Sequence, residues 1–347
     1  MSESGTTGYK TDIVLNACRD VQTGKDDPDP ARFSILKHVA SEIVRLDDEE
    51  LFDYIFYRYR YDIFPVKKML DEYPPCLQVE VSSTCNYRCV FCYQTDEALT
   101  KRENGHMGMM SLNLFKRIID QAEGNIEAIT LASRGEPLLN KEMEKMLACL
   151  AGKFLALKVN TNASCLTERL AHAILQAGVN TVVFSADAAS EPLYSQMRVN
   201  GRLDKVLANI RGFQKVKARD YPHSRTITRI SGVKFRAEQN MNDMRKQWGE
   251  LADQVVFVDY NPWENTSMRA ENQITTPCSD LWRRMFVWWD GKTNPCDVDY
   301  LSKLQVGDAN EVPISKLWTG PVYAALREVH LSGKRGQQQP CARCTVI

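Results

Sequence analysis

Apolar and polar positions follow two different periods along the middle of the chain. Short apolar runs rich in β-branched residues predict strands, and stretches with apolar residues every three to four positions predict amphipathic helices. The predicted strands cover 77–82, 126–133, 154–162, 180–187, 225–235 and 254–260. The predicted helices between them cover 111–123, 141–152, 167–178, 203–219 and 241–253. This alternation is typical of βαβ units, so the sequence predicts an α/β fold whose parallel sheet forms an open or partial (β/α)6 barrel.

The pattern changes at both ends of the chain. Residues 1–30 show no clear period and are expected to be loose, whereas 31–61 have the apolar spacing of a helix. Beyond the sixth strand, aromatic residues and a turn predict a β-hairpin over 283–296, and 313–333 are expected to carry one helix. We therefore expect three parts, namely a helical N-terminal extension, a partial barrel and a small C-terminal α+β domain, over 1–76, 77–262 and 263–347.

Charge and composition exclude several classes of partner. The 347 residues include 44 Lys and Arg and 44 Asp and Glu, so the formal net charge is zero. A neutral chain gives no reason to expect a nucleic acid or a membrane surface as partner. No apolar run approaches a membrane span, and the N-terminus lacks the apolar segment of a secretory signal, so a cytoplasmic location is expected.

The 11 cysteines are clustered, and in a reducing compartment clustered cysteines favour metal ligation over disulfides. Cys85, Cys89 and Cys92 follow the first predicted strand with the spacing C-x3-C-x2-C. Three thiolates can hold three irons of a [4Fe–4S] cluster and leave the fourth iron free to chelate the amino and carboxylate groups of S-adenosylmethionine (SAM). A zinc site is the alternative, although structural zinc needs four protein ligands.

The motif and its place after a first strand resemble the radical SAM superfamily, whose members cleave SAM to a 5′-deoxyadenosyl radical. SRGEP at 133–137 resembles the Gly-Gly-Glu motif of that family, with Arg134 in place of the first glycine, where its guanidinium could enter the site. The resemblance implies SAM-binding roles for six residues, namely Phe91, Gly135, Glu136, Asn160, Ser185 and Arg198.

A second set of cysteines follows the sixth predicted strand, with the spacing C-x12-G-x4-C and then C-x2-C. Its members are Cys278, Cys296, Cys341 and Cys344. The pattern resembles the SPASM and twitch extensions of radical SAM enzymes, and in particular the 2-deoxy-scyllo-inosamine dehydrogenases of aminocyclitol antibiotic synthesis. Four ligands imply one fully ligated auxiliary [4Fe–4S] cluster, as in the twitch form. A four-cysteine structural zinc site is the alternative.

A fully ligated auxiliary cluster suits electron transfer, so the leading hypothesis is oxidation of a secondary alcohol. The expected substrate is a sugar or aminocyclitol, free or linked to a nucleotide or lipid, and the expected reductant is a flavodoxin or ferredoxin. Candidates for the base are Arg134, Asp187, Arg229, Tyr260 and Glu264. A radical epimerase that uses Cys165 or Cys76 as hydrogen donor, a peptide-modifying maturase and a non-catalytic iron–sulfur electron carrier remain alternatives.

Overall fold

The computed structural model describes residues 3–24, 29–264 and 266–347. Its strands are β1 (Cys76–Val79), β2 (Arg88–Cys89), β3 (Ala128–Leu131), β4 (Ala156–Thr161), β5 (Thr181–Ser185), β6 (Arg198–Val199), β7 (Ile227–Lys234), β8 (Gln254–Asp259), β9 (Arg284–Val287), β10 (Lys292–Asn294) and β11 (Gly307–Asp308). Its α-helices are α1 (Glu3–Thr23), α2 (Lys37–Ile43), α3 (Asp48–Lys67), α4 (Glu97–Thr100), α5 (Leu112–Ala122), α6 (Met143–Leu150), α7 (Glu168–Gln176), α8 (Leu193–Met197), α9 (Leu203–Asp220), α10 (Met241–Gly249), α11 (Asp280–Arg283), α12 (Ile314–Trp318) and α13 (Pro321–Leu331). Short 3-10 helices cover Tyr93–Thr95, Arg102–Asn104, Pro137–Leu139, Thr266–Met268, Arg335–Gln337 and Cys341–Arg343.

Six parallel strands form the central part of the main sheet, in the order β1-β3-β4-β5-β7-β8. The predicted α/β fold with a partial (β/α)6 barrel is therefore confirmed. Helices cover the outside of these strands because each has an apolar stripe; on α5 the stripe includes Phe115 and Ile118, which are fully buried. Ser111 caps this helix by accepting a hydrogen bond from the backbone N–H of Leu114.

The sheet continues beyond the barrel into the C-terminal part of the chain. β9 pairs in parallel with β1, with Cys76 opposite Arg284 and Val79 opposite Val287. β10 returns antiparallel to β9, as the predicted hairpin requires, and β11 follows at the edge. The turn needs Gly291, whose φ is +96° and where a Cβ would meet the Asn310 side chain at 2.0 Å. The C-terminal part is thus hydrogen-bonded directly to the first barrel strand.

Three predictions about the helices at the ends of the chain were wrong. The helix expected over 31–61 begins only at Lys37 and is divided into α2 and α3. The segment expected to be loose carries α1, because Ile13 and Ala17 are buried in an apolar cluster with Phe33 and Phe56. The run 25–28 within that segment lies outside the described residues. The single helix expected over 313–333 is divided into α12 and α13, with Gly320 as the N-cap of the second. None of the described helices is long and apolar enough to cross a membrane.

Candidate active site

A cavity of about 270 Å³ lies at the C-terminal ends of the barrel strands. Ligands of parallel α/β sheets gather at this end, because the loops that follow the strands meet there. The predicted residues that line it are Cys85, Cys89, Phe91, Cys92, Arg134, Gly135, Glu136, Asn160, Ser185, Asp187 and Arg198. The fold therefore brings the first cysteine motif and the proposed SAM-binding residues to one place.

Two of the three thiols of the first motif are contacted by weak donors from outside the motif. Asn162 Nδ2 lies 3.9 Å from Cys85 Sγ, and Arg198 Nη1 lies 3.8 Å from Cys89 Sγ. Burial and, after it, the nearby Glu136 carboxylate raise the pKa of Cys85 to about 12. Buried thiols in such a setting need a cationic partner to ionise, and three of them on one cavity wall fit the three protein ligands of a [4Fe–4S] cluster.

Gly135 and Glu136 have different structural roles beside these thiols. A Cβ at Gly135 would lie 2.4 Å from the carbonyl oxygen of Ser82, so only glycine allows this loop to pack against the start of the cysteine loop. The Glu136 carboxylate accepts hydrogen bonds from Thr161 Oγ1 at 2.6 Å and from the Asn162 N–H at 2.7 Å. These donors fix the carboxylate at the cavity wall, although burial raises its pKa.

Five buried polar atoms of residues in the cavity wall have no hydrogen-bond partner within the described chain. Three are the neutral oxygens Asn160 Oδ1, Ser133 Oγ and Gln94 Oε1, and the other two, Asp187 Oδ2 and Arg198 Nε, face each other as an ion pair. Buried polar atoms are nearly always hydrogen-bonded in folded proteins, so unpaired ones beside a cavity indicate a polar ligand. The residues present therefore fit SAM and a polar substrate.

Arg198 and Asp187 form a buried ion pair on one side of the cavity. Arg198 Nε lies 2.6 Å from Asp187 Oδ2, and the backbone N–H of Val233 donates to Asp187 Oδ1 at 2.7 Å. The Asp187 charge raises the pKa of Arg198 against the opposing effect of burial. Asp187 is thus a positioning residue for Arg198, and its two oxygens are already engaged, which disfavours it as the base.

Arg134 does not present its guanidinium as a catalytic group. Its Nη2 and Nε contact the two oxygens of Glu80 at 2.5 and 2.7 Å, and its Nη1 donates to the carbonyl oxygen of Tyr300 at 2.9 Å. The guanidinium also lies 4.3 Å from the Trp288 ring centroid. Arg134 therefore links the barrel to the C-terminal part, which corrects the expectation that it acts on substrate.

Four other candidates lie outside this cavity. Arg229 is near the start of β7, at the opposite end of the barrel, where its Nε donates to Gln254 Oε1 at 2.6 Å. Cys165 packs against the main core and does not line the cavity. The Tyr260 hydroxyl donates to Glu264, and the Tyr260 ring packs edge-on against Phe235. Neither Tyr260 nor Glu264 lines the cavity, so neither is placed as the base.

The second cysteine set lines a separate small cavity in the C-terminal part, formed in part by Cys278, Cys296, Cys341 and Cys344. The pKa of Cys278 is raised to about 11, by burial and then by the Asp280 carboxylate, and that of Cys341 to about 12, by burial and then by the neighbouring Cys278. Arg335 holds the segment in place by donating to the carbonyl oxygen of Cys344 at 2.8 Å. Four buried thiols around one cavity fit the ligand set of a fully ligated [4Fe–4S] cluster.

Asp297 is the site residue that the sequence reasoning missed. Its side chain lines the first cavity, while the preceding residue, Cys296, lines the second. Burial raises the pKa of Asp297, and Arg284 opposes that effect. Its position directly after a cluster cysteine was the only signal in the sequence. Trp263 also went unnoticed; it lines the cavity and its Nε1 donates to the carbonyl oxygen of Phe91 at 3.1 Å.

Comparison with known proteins agrees with this geometry. Residues 79–246 match the model of the radical SAM superfamily, and residues 278–345 match that of the SPASM iron–sulfur cluster-binding domain. GTP 3′,8-cyclase of Desulforamulus reducens is 23% identical over 57% of this chain and 61% of its own length, so the match covers less than two thirds of that relative. The S-adenosyl-L-methionine-dependent 2-deoxy-scyllo-inosamine dehydrogenase of Niallia circulans is 22% identical over 80% of this chain and 95% of its own.

Solved structures share the fold. BtrN in complex with AdoMet and 2-DOIA aligns with a TM-score of 0.55 at 18% identity, over 80% of this chain and 95% of that one. SuiB of Streptococcus suis bound to the precursor peptide SuiA aligns with a TM-score of 0.58 at 14% identity, over 94% of this chain and 80% of that one. The radical SAM domain implies SAM and a [4Fe–4S] cluster, and the SPASM domain implies auxiliary iron–sulfur chemistry.

Proposed function

We propose that this chain, which belongs to the radical SAM superfamily and carries a SPASM cluster-binding domain, oxidises a secondary alcohol of a sugar or aminocyclitol by two electrons. The observation that carries the proposal is the placement of Asp297. Asp297, which lines the cavity at the C-terminal ends of the barrel strands (the SAM cavity), is the next residue in the chain after Cys296 of the auxiliary site. A substrate in that cavity would therefore have a proton acceptor and an electron acceptor close together.

The cofactors would be held by the two cysteine sets. Cys85, Cys89 and Cys92 would hold a [4Fe–4S] cluster that, with SAM, would supply the radical chemistry for removing a hydrogen atom from the carbinol carbon, and a cluster on the second cysteine set would supply an acceptor for the remaining electron. Arg198 carries the charge that suits the SAM carboxylate, and Gly135 and Glu136 form the wall beside the thiols. Asp297 accepts the hydroxyl proton, which completes the two-electron oxidation to a ketone.

The composition of the cavity wall supports a hydroxyl-rich substrate. Ser133, Asn160, Ser185 and Ser231 all line it, and two of these have side-chain oxygens without a partner in the described chain. Hydroxyl groups of a sugar or aminocyclitol can donate to such oxygens, whereas an aliphatic peptide side chain would leave them unsatisfied. A nucleotide- or lipid-linked sugar is included in the proposal, as is a flavodoxin or ferredoxin as the source of the first electron.

The test is anaerobic turnover of the reconstituted enzyme with SAM and dithionite, against a library of sugars and aminocyclitols and, separately, a peptide pool. We expect a carbohydrate to stimulate 5′-deoxyadenosine formation and to yield an equal amount of carbonyl product. Stimulation by peptides alone would move the enzyme to the maturases. Carbon-bound deuterium in a product made in deuterated buffer would indicate an epimerase, which the position of Cys165 outside the cavity does not favour.

The Asp297→Asn variant tests the base. We expect it to keep SAM cleavage but to lose ketone formation by about 10²–10⁴-fold, the usual contribution of a positioned base. The matched control is Asp259→Asn, since the side chain of Asp259 is 88% exposed and, among the residues that the structure describes, forms an ion pair only with Lys234. Ketone formation by the Asp297 variant at the wild-type rate would remove the observation on which the proposal rests.

A further inference from the structure

A second cavity, of about 360 Å³, lies at the opposite end of the barrel, and we call it the lower chamber. Its walls are the first residues of the barrel strands, including Cys76, Ala156 and Ile227, and its cover is formed by α2 and α3. It shares no lining residue with the SAM cavity. The N-terminal extension, for which no function was predicted, thus closes the lower end of the barrel.

The walls of the lower chamber are rich in cations. Among its lining residues, six are Lys or Arg and two, Glu42 and Asp62, are carboxylates. Arg58 Nη2 contacts both oxygens of Asp62, at 3.0 and 2.7 Å, and Arg229 lies 3.5 Å from Glu42. Each carboxylate of the chamber is therefore already matched by an arginine.

Lys158 has no such match. It projects from β4 into this chamber, two residues before Asn160 of the SAM cavity, and no hydrogen bond or ion pair forms at its Nζ within the described ranges. Burial lowers its pKa, and the nearby Arg229 lowers it further. A partly buried ammonium without a counter-charge is costly, because water solvates it better than the protein does.

Further donors on the chamber wall are also unused. Arg58 Nε is buried without a partner, and no described group accepts a hydrogen bond from the hydroxyls of Tyr57 and Tyr61. The Tyr57 and Tyr61 rings lie 5.8 Å apart, and the Arg58 guanidinium lies 5.6 and 5.1 Å from them. Several hydrogen-bond donors with a net positive charge are complementary to an oxyanion that has several acceptor oxygens.

We propose that the lower chamber is a binding site for a small oxyanion-bearing molecule, such as a phosphate ester, held by Lys158 with Arg58 and Tyr57. Arg225, which is exposed, lies at the rim, so a ligand can reach the chamber from solvent. The site lies at the end of the barrel away from the cysteines, and the proposal does not depend on the identity of the substrate.

The experiment is isothermal titration of the reconstituted holoenzyme, with inorganic phosphate, glucose 6-phosphate and citrate as three separate probes. We expect phosphate and glucose 6-phosphate to bind without displacing SAM. Tighter binding of citrate would show that the oxyanion is a carboxylate and not a phosphate, and would overturn the phosphate-ester assignment. Absence of binding by all three probes would overturn the site itself.

Variants tie the binding to the chamber. Lys158→Met should weaken phosphate binding at least about tenfold, and without ligand it should melt at or above the wild-type temperature, because an unpaired charge is removed. The control is Lys116→Met, since Lys116 is exposed and has no partner in the described chain. If the Lys158 variant fails to fold, phosphate binding is measured with Tyr57→Phe instead, for which a several-fold loss of affinity is expected. Unchanged affinity in the folded variants would refute the proposal.

Discussion

Removal of Arg134 should destabilise the protein strongly, because its partner Glu80 would be left charged in the interior. The two side chains are 1% and 0% exposed, and two contacts of 2.5 and 2.7 Å join them. Breaking a buried pair by removing one member typically costs about 3–5 kcal/mol. In Arg134→Met the Glu80 carboxylate keeps only the backbone N–H groups of Arg134 and Trp289, at 3.0 and 3.4 Å.

A second substitution separates charge from packing. Glu80→Gln keeps an oxygen for those N–H groups and removes the charge, so the double variant should recover part of the loss, with a coupling of about 1–3 kcal/mol. Anaerobic urea unfolding, followed by tryptophan fluorescence because Trp288 stacks on Arg134, gives the four free energies of the cycle.

The control for this cycle is a surface pair. Lys153→Met breaks a 2.7 Å contact with Glu123, whose side chain is 48% exposed, and should cost about 1 kcal/mol or less. An Arg134→Met variant that loses no more than this control, or a double variant whose loss equals the sum of the single losses, would refute the assignment of Arg134 to a buried structural pair.

Three further predictions concern the loop glycine, the auxiliary site and the N-terminal helices. Gly135→Ala should abolish SAM binding, measured by equilibrium dialysis, because its Cβ would lie 2.4 Å from the Ser82 carbonyl oxygen; unchanged affinity would contradict the close approach. Cys278→Ser should lower the iron content by about one cluster and uncouple 5′-deoxyadenosine formation from product, whereas exposed Cys18→Ser should do neither. Hydrogen bonds from Arg225 hold the pKa of Glu50 below its ordinary value of about 4.3. These bonds therefore stabilise the folded protein when the pH is above that ordinary value, and the stabilisation is lost as the pH falls through the lowered pKa. Arg225→Met should therefore lower stability by about 0.5–1 kcal/mol at pH 7 and by less at pH 4, and a difference that grew on acidification would refute this sign.

Periodicity and cysteine spacing were enough to predict the barrel and the residues that surround the SAM cavity. The alternation of strands and helices is a local property, and the C-terminal ends of parallel strands meet whatever their exact length. The two cysteine motifs, with seven cysteines in all, could also be recognised from the sequence, because few residue types other than cysteine serve as ligands of an iron–sulfur cluster. These features depend on local sequence patterns and not on which side chains from distant parts of the sequence come into contact.

The errors came from contacts between distant segments. Arg134 was expected to act as the base because its partner Glu80, 54 positions away, cannot be deduced from either motif. Arg229 was assigned to a strand end, but it precedes Val233, which lines the cavity, by four residues, or about 13 Å of strand. Asp297 was overlooked because its two neighbouring sites are formed by residues far apart in sequence. The position or role of each of these three residues depends on contacts with residues distant in sequence, which no local sequence pattern predicts.

The parallel ladder between β1 and β9 has a consequence for electron transfer. Cys85 follows β1 by six residues and Cys296 follows β9 by nine, so the register of Cys76 opposite Arg284 sets how far apart the two cysteine sites lie. A slip of one residue in this ladder would move one site along the other by about 3.3 Å and reverse the faces of its side chains. The strand pairing thus sets the distance over which an electron would pass between the two cysteine sites in the proposed reaction. Neither site can be replaced by that of another protein unless the pairing of β1 with β9 is kept.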